Sequence, residues 1–395
     1  MKLFQKLLLA PTAIGFLTPI ASFASETNYG DVNGYSQNQV EVSLDSFKPL
    51  SNENPLLAGG EGLSNGNSAA SDFDTDTFSS TTTASFVANF AIGSVDDGSN
   101  NDHLGVNYDW ELATSTSFTG NDSLDVVLNA GTSKLMPELD LTNSGNGVNL
   151  DGISYSNTLG DRTSVFFGSG AVPGGSLYNV ACAYGAQTDT LSDCGVASAN
   201  LDEELGTAVG ASFDFQNGFA VAVGYEGTGM SSKGLLSDGG ADAFGANVSY
   251  SGDSYGISLS WANIENHTDG VLTGTTGSTQ SRGVNAYYSP DLVNFPSISV
   301  GFESNHDDTQ ASSKDQTSHY FIGLQWDEIG NGSLGAAFGS KAPYLENGEA
   351  ETMYEVFYSY NYADGITITP IFYGKENAGS ADDETGLIVK TSFEF

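Results

Sequence analysis

The sequence predicts an all-β protein: a transmembrane antiparallel β-barrel of about sixteen strands, with short periplasmic turns and long extracellular loops. Three observations support this fold class. Apolar residues recur with a period of two from Phe78 onward, turn-forming Gly, Asn and Asp separate the alternating runs, and the connections alternate between short and long. The abundance of aromatic residues, 18 Tyr and 23 Phe, with few helix-forming residues argues against an all-α protein.

The chain divides into three parts. Residues 1–24 have the pattern of a secretory signal peptide, because a basic start precedes an apolar core and a small-residue cleavage site. Residues 25–76 are polar and show no periodicity, which predicts a flexible segment. No later stretch approaches the ~18 consecutive apolar residues of a spanning helix, so we expect residues 77–395 to cross a membrane as strands.

The predicted strands follow one another along the chain, each as an alternating run that ends at a turn signal. Gln216-Asn217-Gly218, between two such runs, is a strong hairpin signal. The runs before the last span residues 84–92, 106–112, 124–128, 153–159, 162–168, 205–215, 219–225, 244–250, 255–261, 284–288, 298–302, 320–326, 334–338, 354–360 and 366–372.

The last strand, 384–395, alternates most clearly, with Leu387, Val389 and Phe393 on one face and Lys390 on the other. An aromatic C-terminal residue, here Phe395, resembles the assembly signal of bacterial outer-membrane barrels. The resemblance implies a Gram-negative-type outer membrane. Because bacterial barrels of one chain have an even number of strands, about sixteen is a consistent total.

The connections provide an independent test of the strand assignment. Short turns are predicted at 119–122, 160–161, 216–218, 252–253, 289–296, 328–332 and 362–365. Long loops are predicted at 94–102, 133–147, 168–204, 227–241, 263–280, 304–317, 340–351 and 375–383. Strict alternation of the two kinds is typical of outer-membrane barrels and places both ends of the barrel in the periplasm.

The two faces of the predicted strands differ in polarity. One face is aromatic and aliphatic, whereas the other carries polar residues, for example Ser258, Ser260, His319, Gln325 and Lys390. A dry core would not tolerate so many polar groups without partners, whereas a water-filled lumen would. At about sixteen strands a barrel is wide enough to hold water, so this pattern predicts a channel.

The charge balance limits the possible functions. Asp and Glu outnumber Lys and Arg by 49 to 11, and the net charge is −38. We expect no binding to nucleic acid, because its phosphates require a basic face. Solubility in a salty habitat and a charge-selective pore both explain the acidity. The four histidines are scattered and no catalytic motif is present, so we predict neither an enzyme nor a cofactor.

Several stretches resemble cyanobacterial outer-membrane porins related to the carbohydrate-selective (OprB-type) family: residues 1–8, 31–36, 78–83, 319–327, 366–370 and 386–393. The resemblance implies a passive porin for ions and small hydrophilic solutes, surrounded by outer-membrane lipid and assembled as a homotrimer. Such porins usually carry an S-layer-homology domain and a coiled coil before the first strand. Here a short polar segment without heptads fills that place, which puts peptidoglycan anchoring in doubt.

The longest loop, 168–204, carries the candidate site. Its two cysteines are the only ones in the chain, and in an exported protein such a pair predicts a disulfide, Cys182–Cys194. In general porins the third long loop folds inward and narrows the pore. By analogy we predict a constriction formed by the loop acids and by two arginines across the lumen: Asp189, Asp193, Asp202, Glu203, Glu204, Arg162 and Arg282.

Two alternatives stay open, one for the position of the loop and one for the function of the barrel. The loop can instead cap the outside of the barrel with its acids in solvent. An inward acidic loop, together with few lumen cations, predicts a mild preference for cations. The alternative class of function is a plugged barrel that acts as an adhesin, a receptor or a structural protein.

Overall fold

The computed structural model describes residues 81–98, 104–132, 136–139, 141–228, 234–237, 240–265, 267–268, 271–272, 277–292, 294–308, 315–340, 344–345, 352–376 and 382–395. The predicted signal peptide, 1–24, and polar segment, 25–76, lie outside these residues and stay predictions. None of the helices in the described ranges is long and apolar enough to cross a membrane.

The described part of the chain forms a closed antiparallel barrel of sixteen long strands, as predicted. Each strand pairs with its neighbours in sequence, and β1 pairs with β16 to close the barrel. The strands are β1 (Thr82–Asp96), β2 (Gly105–Thr116), β3 (Asp122–Gly131), β4 (Asn149–Leu159), β5 (Thr163–Gly170), β6 (Gly206–Asp214), β7 (Phe219–Gly227), β8 (Asp242–Ser251), β9 (Tyr255–Glu265), β10 (Ser278–Tyr288), β11 (Ser297–Asp307), β12 (Gln316–Trp326), β13 (Gly332–Ser340), β14 (Thr352–Ala363), β15 (Ile366–Lys375) and β16 (Glu384–Glu394).

Short turns and long loops alternate around the barrel, so its two ends differ. The short turns after β6 and β14 contain Gly218 (φ 90°) and Gly365 (φ 68°), in the left-handed region that glycine adopts without steric cost. Three two-residue strands, His267–Thr268, Val271–Leu272 and Tyr344–Leu345, lie in the long connections. We call the two kinds of barrel end the turn end and the loop end.

The alternation along each strand separates an apolar outer face from an inner face. In β9, Tyr255, Ile257, Leu259 and Trp261 are exposed outward, whereas Ser258 and Ser260 are buried inside. The predicted polar inner face is therefore present. Exposed apolar side chains arranged around a whole barrel are what a lipid environment requires.

The C-terminal strand closes the barrel through its last residue. Phe86 and Phe395 exchange two backbone hydrogen bonds, of 2.8 and 3.0 Å. Their rings also pack on the outer face with centroids 5.1 Å apart, and the Phe86 ring stacks on Trp110 at 5.8 Å. An aromatic C-terminus thus fixes the register at the seam where the first and last strands meet.

The inside of the barrel is more filled than the sequence predicted. Two loops occupy part of it: residues 136–139 and 141 of the second loop, which joins β3 to β4, and the third loop, residues 171–205. Met136 and Leu139 of the second loop and Leu191 of the third are buried among inward-facing side chains of the strands. A fully wet lumen was therefore an incomplete prediction, because the loops supply dry apolar patches that cover part of the wall.

Candidate pore constriction

The third loop lies inside the barrel, against the inner wall. Its first half donates backbone N–H groups to inward-facing side chains of three strands. Ala181 N bonds to Ser258 Oγ of β9 at 3.0 Å, and Ala183 N bonds to Ser299 Oγ of β11 at 2.9 Å. Gly185 N bonds to Gln325 Oε1 of β12 at 2.8 Å. The loop thus runs around the wall from β9 to β12, and the outside cap that the sequence left open does not occur.

The second half of the loop returns along the same wall. Asn285 Nδ2 of β10 donates to Asp193 O at 3.2 Å, and Ser260 Oγ of β9 donates to Asn200 Oδ1 at 2.6 Å. A disulfide between Cys182 and Cys194, with Cα atoms 6.1 Å apart, joins the outgoing and returning halves. The predicted disulfide is therefore present, and it makes the loop a cross-linked, out-and-back excursion.

Three buried glutamates of the wall hold this loop at its base, middle and tip. At the base, Glu226 of β7 accepts from Gly174 N at 2.6 Å and from Leu205 N at 3.0 Å. In the middle, Glu303 of β11 accepts from Ala199 N at 2.8 Å. Backbone N–H groups bond to both carboxylates, and these charge-assisted bonds offset part of the cost of burying them.

The tip of the loop is held by the third glutamate, Glu355 of β14. Its two oxygens accept from Tyr184 OH at 2.8 Å, from Gln187 N at 3.1 and 3.3 Å, and from Thr188 Oγ1 at 2.7 Å. Burial and then the Glu355 charge raise the pKa of Tyr184, so its phenol keeps the proton that it donates. The Tyr184 ring packs against Phe321 and Phe357, with centroids 5.5 and 6.0 Å away.

Inward-facing glycines let the loop backbone touch the wall. A Cβ on Gly301 of β11 would lie 1.8 Å from Cys194 O, and one on Gly224 of β7 would lie 2.1 Å from Gly174 O. A Cβ on Gly283 of β10 would lie 2.1 Å from Val196 Cγ1. No larger residue fits at these positions without moving the loop, because each space is already occupied.

The returning half of the loop adopts a backbone that only a rigid environment sustains. Asp193 and Cys194 both have φ of 50°, Leu201 has 57° and Glu204 has 52°. Left-handed conformations are unfavourable for residues with a Cβ, so the surrounding bonds must select them. We infer that the disulfide and the glutamates fix one conformation of the loop.

The second loop is tied to the third through a buried ion-pair network. Lys375 Nζ of β15 lies 2.6 Å from Glu138 Oε1 of the second loop and 3.1 Å from Glu384 Oε2 of β16. The other oxygen of Glu138 accepts from Thr190 Oγ1 of the third loop at 2.8 Å. Glu138 therefore links both loops to the wall at the tip of the third loop.

Replacing both cysteines with serine is expected to loosen the third loop but not the barrel. On the chain-entropy model, a disulfide that closes so short a loop stabilises it by about 3 kcal/mol. This corresponds to about a hundredfold change in the equilibrium constant for local opening. Hydrogen exchange of amides 178–200, followed by mass spectrometry, should accelerate accordingly. A reductant should reproduce the change in the native chain and have no effect on the Cys182→Ser/Cys194→Ser variant. Unchanged exchange would contradict this role.

The predicted acids of the constriction occupy different places along the third loop. Asp189 is exposed at the tip, and Asp193 is half-buried beside the disulfide. Asp202, Glu203 and Glu204 are half-buried at the end of the returning half, where Glu203 N donates to Glu226 at 3.3 Å. The acids thus form two groups, one near the tip of the loop and one at its base.

The two predicted arginines are not brought to these acids. Arg162 lies in the exposed turn between β4 and β5, and its Nε donates to Gln216 Oε1 of the next turn at 3.1 Å. Arg282 is exposed on the outer face of β10, directly opposite Trp261 of β9. The expectation that Arg282 faces the lumen fails because buried Ser281 and Gly283 occupy the inward positions on either side of it.

Acidic side chains outnumber basic ones on the inner wall. Of the four Lys and Arg residues that the structure describes, only Lys375 and Lys390 lie on the inner face, and Lys375 is held by two glutamates. Inward-facing carboxylates include the partly exposed Asp125 and Asp214 and the buried Asp109, Glu111, Glu226, Glu303 and Glu355. Within the described ranges, no group of three or more His, Cys, Asp or Glu side chains is arranged to hold a metal ion.

Comparisons with known proteins identify the fold. No protein-family model matches the chain, and no curated protein matches its sequence. In its high-pH structure, OprB of Pseudomonas putida has a TM-score of 0.57 at 12% identity, over 80% of this chain and 94% of that chain. An anion-selective porin from Comamonas acidovorans has a TM-score of 0.56 at 16% identity, over 80% and 99% of the respective chains. The chain therefore has the fold of the porins.

Proposed function

We propose that the protein is an outer-membrane channel through which ions and small hydrophilic solutes diffuse passively. The observation that carries the proposal is the position of the third loop, which is fixed along the wall from β7 to β14. The inner faces of β2 and β3 nearer the turn end carry half-exposed Ser115, Ser123 and Asp125, which can border a water-filled path. The free side of the loop is then the narrowest part of that path.

The fold supports this proposal by similarity. OprB and the Comamonas porin share the barrel and belong to a class of channel. A passive channel needs no cofactor and no catalytic group, and none is proposed. By the resemblance of its sequence stretches to cyanobacterial OprB-type porins, we extend the proposal to a homotrimer in a Gram-negative-type outer membrane.

We further propose that the channel prefers cations. Fixed carboxylates along a narrow path raise the local cation concentration and repel anions. The acids proposed for the constriction are Asp189, Asp193, Asp202, Glu203 and Glu204, and the partly exposed Asp125 and Asp214 add to them on the inner wall. The selectivity of the Comamonas porin for anions is a property of that protein, and at 16% identity it does not transfer.

The refolded protein in a planar bilayer should give discrete conductance steps, and the zero-current potential in a KCl gradient should have the sign of a cation-selective pore. Asp125→Asn should reduce that potential, because it removes a carboxylate from the accessible wall. Asp253→Asn, the same change in an exposed short turn, is the matched control. A silent folded barrel would indicate a plug and overturn the channel, and the potential of an anion-selective pore would overturn only the preference.

A further inference from the structure

A groove of about 480 Å³ opens on the outer face of β8, β9 and β10, near the loop end of these strands. Its volume falls within the range of about 300–1,000 Å³ that small-molecule sites occupy. Six of the residues that line it carry polar or aromatic side chains: Asp242, Phe244, Trp261, Asn263, Glu265 and Ser278. The groove therefore lies outside the lumen and apart from the proposed path of ions.

Two carboxylates form the polar part of the groove, and the protein holds both in place. Asp242 Oδ1 accepts from Tyr225 OH and from Leu236 N, the latter at 3.2 Å. Glu265 Oε2 accepts from Asp242 N at 3.1 Å. These bonds leave Asp242 Oδ2 and Glu265 Oε1 for a ligand. Because Asp242 N bonds to Glu265, the two residues lie side by side, and one ligand can reach both acceptors.

The apolar part of the groove lies on its turn-end side. Phe244 and Trp261 are 48% and 41% exposed there, on the outward faces of β8 and β9. Exposed Leu259 and Ile257 continue from Trp261 toward the turn end. Aromatic side chains at such a change of polarity mark the boundary between hydrocarbon and headgroups. A ligand that fits the groove is therefore amphiphilic, with its polar end toward the loops.

We propose that the groove binds the uncharged sugar of a glycolipid in the outer leaflet. The choice of leaflet rests on the proposed outer-membrane channel, whose long loops face the outside of the cell. A hexose ring presents C–H groups on one face and hydroxyls around its edge. The C–H face would pack on Trp261, and two neighbouring hydroxyls would donate to Asp242 Oδ2 and Glu265 Oε1. The acyl chain would lie on Leu259 and Ile257.

The lining favours this headgroup over related ones. A phosphate brings a negative charge to two carboxylates, and none of the described residues that line the groove is basic. Arg282, opposite Trp261 on β10, is not among them. A diacylglycerol has a single hydroxyl for two acceptors, and a free sugar lacks the chain that would cover the apolar surface. A lipid-borne sugar meets all three requirements.

Native mass spectrometry of the full chain in a polyoxyethylene detergent, titrated with a short-chain monoglucosyl diacylglycerol, tests the proposal. The native chain should bind this lipid about tenfold more tightly than the diacylglycerol without the sugar, the effect of one or two hydrogen bonds and a stacked ring. Trp261→Leu should weaken binding about tenfold, because it removes the flat ring but keeps an apolar side chain. Trp326→Leu, the same change at the turn end of β12, should leave binding unchanged.

A second variant tests the carboxylates. Glu265→Gln should narrow the preference for the sugar lipid over phosphatidylglycerol about fivefold, the effect of removing one charge at close range in water. Glu328→Gln, the same change in an exposed short turn, should leave this preference as it is. Heat-modifiable migration in gels checks that the barrel of each variant is folded.

Four results would overturn the inference. Equal binding of the sugar lipid and the diacylglycerol would show that the groove is an apolar surface only. Displacement of the lipid by an equal concentration of glucose would make a soluble saccharide the ligand. Tighter binding of an alkyltrimethylammonium would assign the carboxylates to a cation, and equal losses in Trp261→Leu and Trp326→Leu would place the binding elsewhere. None of these results depends on whether the barrel conducts ions, so failure here is distinguishable from failure of the proposed channel.

Discussion

Replacing Glu355 with alanine is expected to free the tip of the third loop while the sixteen strands stay paired. The carboxylate accepts from Tyr184 OH, Gln187 N and Thr188 Oγ1, all on the loop side. Without it, buried donors lose a charged acceptor, at about 1–3 kcal/mol for each group left unpaired. The tip should therefore open at least about a hundredfold more often.

Hydrogen exchange of amides 184–190 measures this opening directly, and the open-channel current noise should rise with it. Glu355→Gln, which retains one carbonyl oxygen, should have an intermediate effect. Glu328→Gln makes the same change in an exposed short turn and should alter neither quantity. Native-like exchange in Glu355→Ala would show that the disulfide and the apolar contacts alone hold the tip.

The strands and turns were predictable because their causes are local. A period of two, with apolar residues outward, determines each strand, and pairs such as Asn217-Gly218 determine the turns between them. Sixteen strands and the alternation of turns and loops are confirmed. The path of the third loop was not predictable from periodicity, because it depends on contacts between residues more than a hundred positions apart, such as Gln187 with Glu355.

One sequence pattern does indicate the loop's path. On five strands an inward glycine is followed, two residues later, by an inward Glu, Asn or Gln: Gly224-Glu226, Gly245-Asn247, Gly283-Asn285, Gly301-Glu303 and Gly323-Gln325. Each glycine leaves room for an atom of the third loop, and each polar residue bonds to that loop directly or, for Asn247, through Ser260. A repeat of this kind along one inner face predicts a chain segment that lies on the wall.

The misplaced arginine has a simple physical reason. Residues two apart on a strand share a face, and Val284 has the apolar character of the outer face, so alternation alone places Arg282 outside as well. A charged side chain is expected to avoid hydrocarbon, which favours the lumen over the outer face. At the level of the interface that expectation does not hold, since an arginine there meets headgroups rather than hydrocarbon.

Substituting Gly301 with alanine is expected to displace the third loop from its wall, with a larger effect than any other single methyl group at the site. The new Cβ would lie 1.8 Å from Cys194 O, a backbone atom that cannot rotate away. Overpacking typically destabilises a packed region by about 1–3 kcal/mol and occasionally more, and so close an approach belongs at the upper end of that range. The disulfide-bonded loop should become sensitive to protease, and its amides should exchange faster.

Gly185→Ala is the matched control, because a Cβ there would lie 3.6 Å from its nearest neighbour, Gln325 Oε1, in ordinary contact. That protein should behave like the native one. A chain with residues 176–203 deleted should tolerate Gly301→Ala without loss of folded barrel, since the group that it clashes with is gone. If the substitution is equally harmful in the shortened chain, the glycine is required by the strands themselves and does not serve to seat the loop.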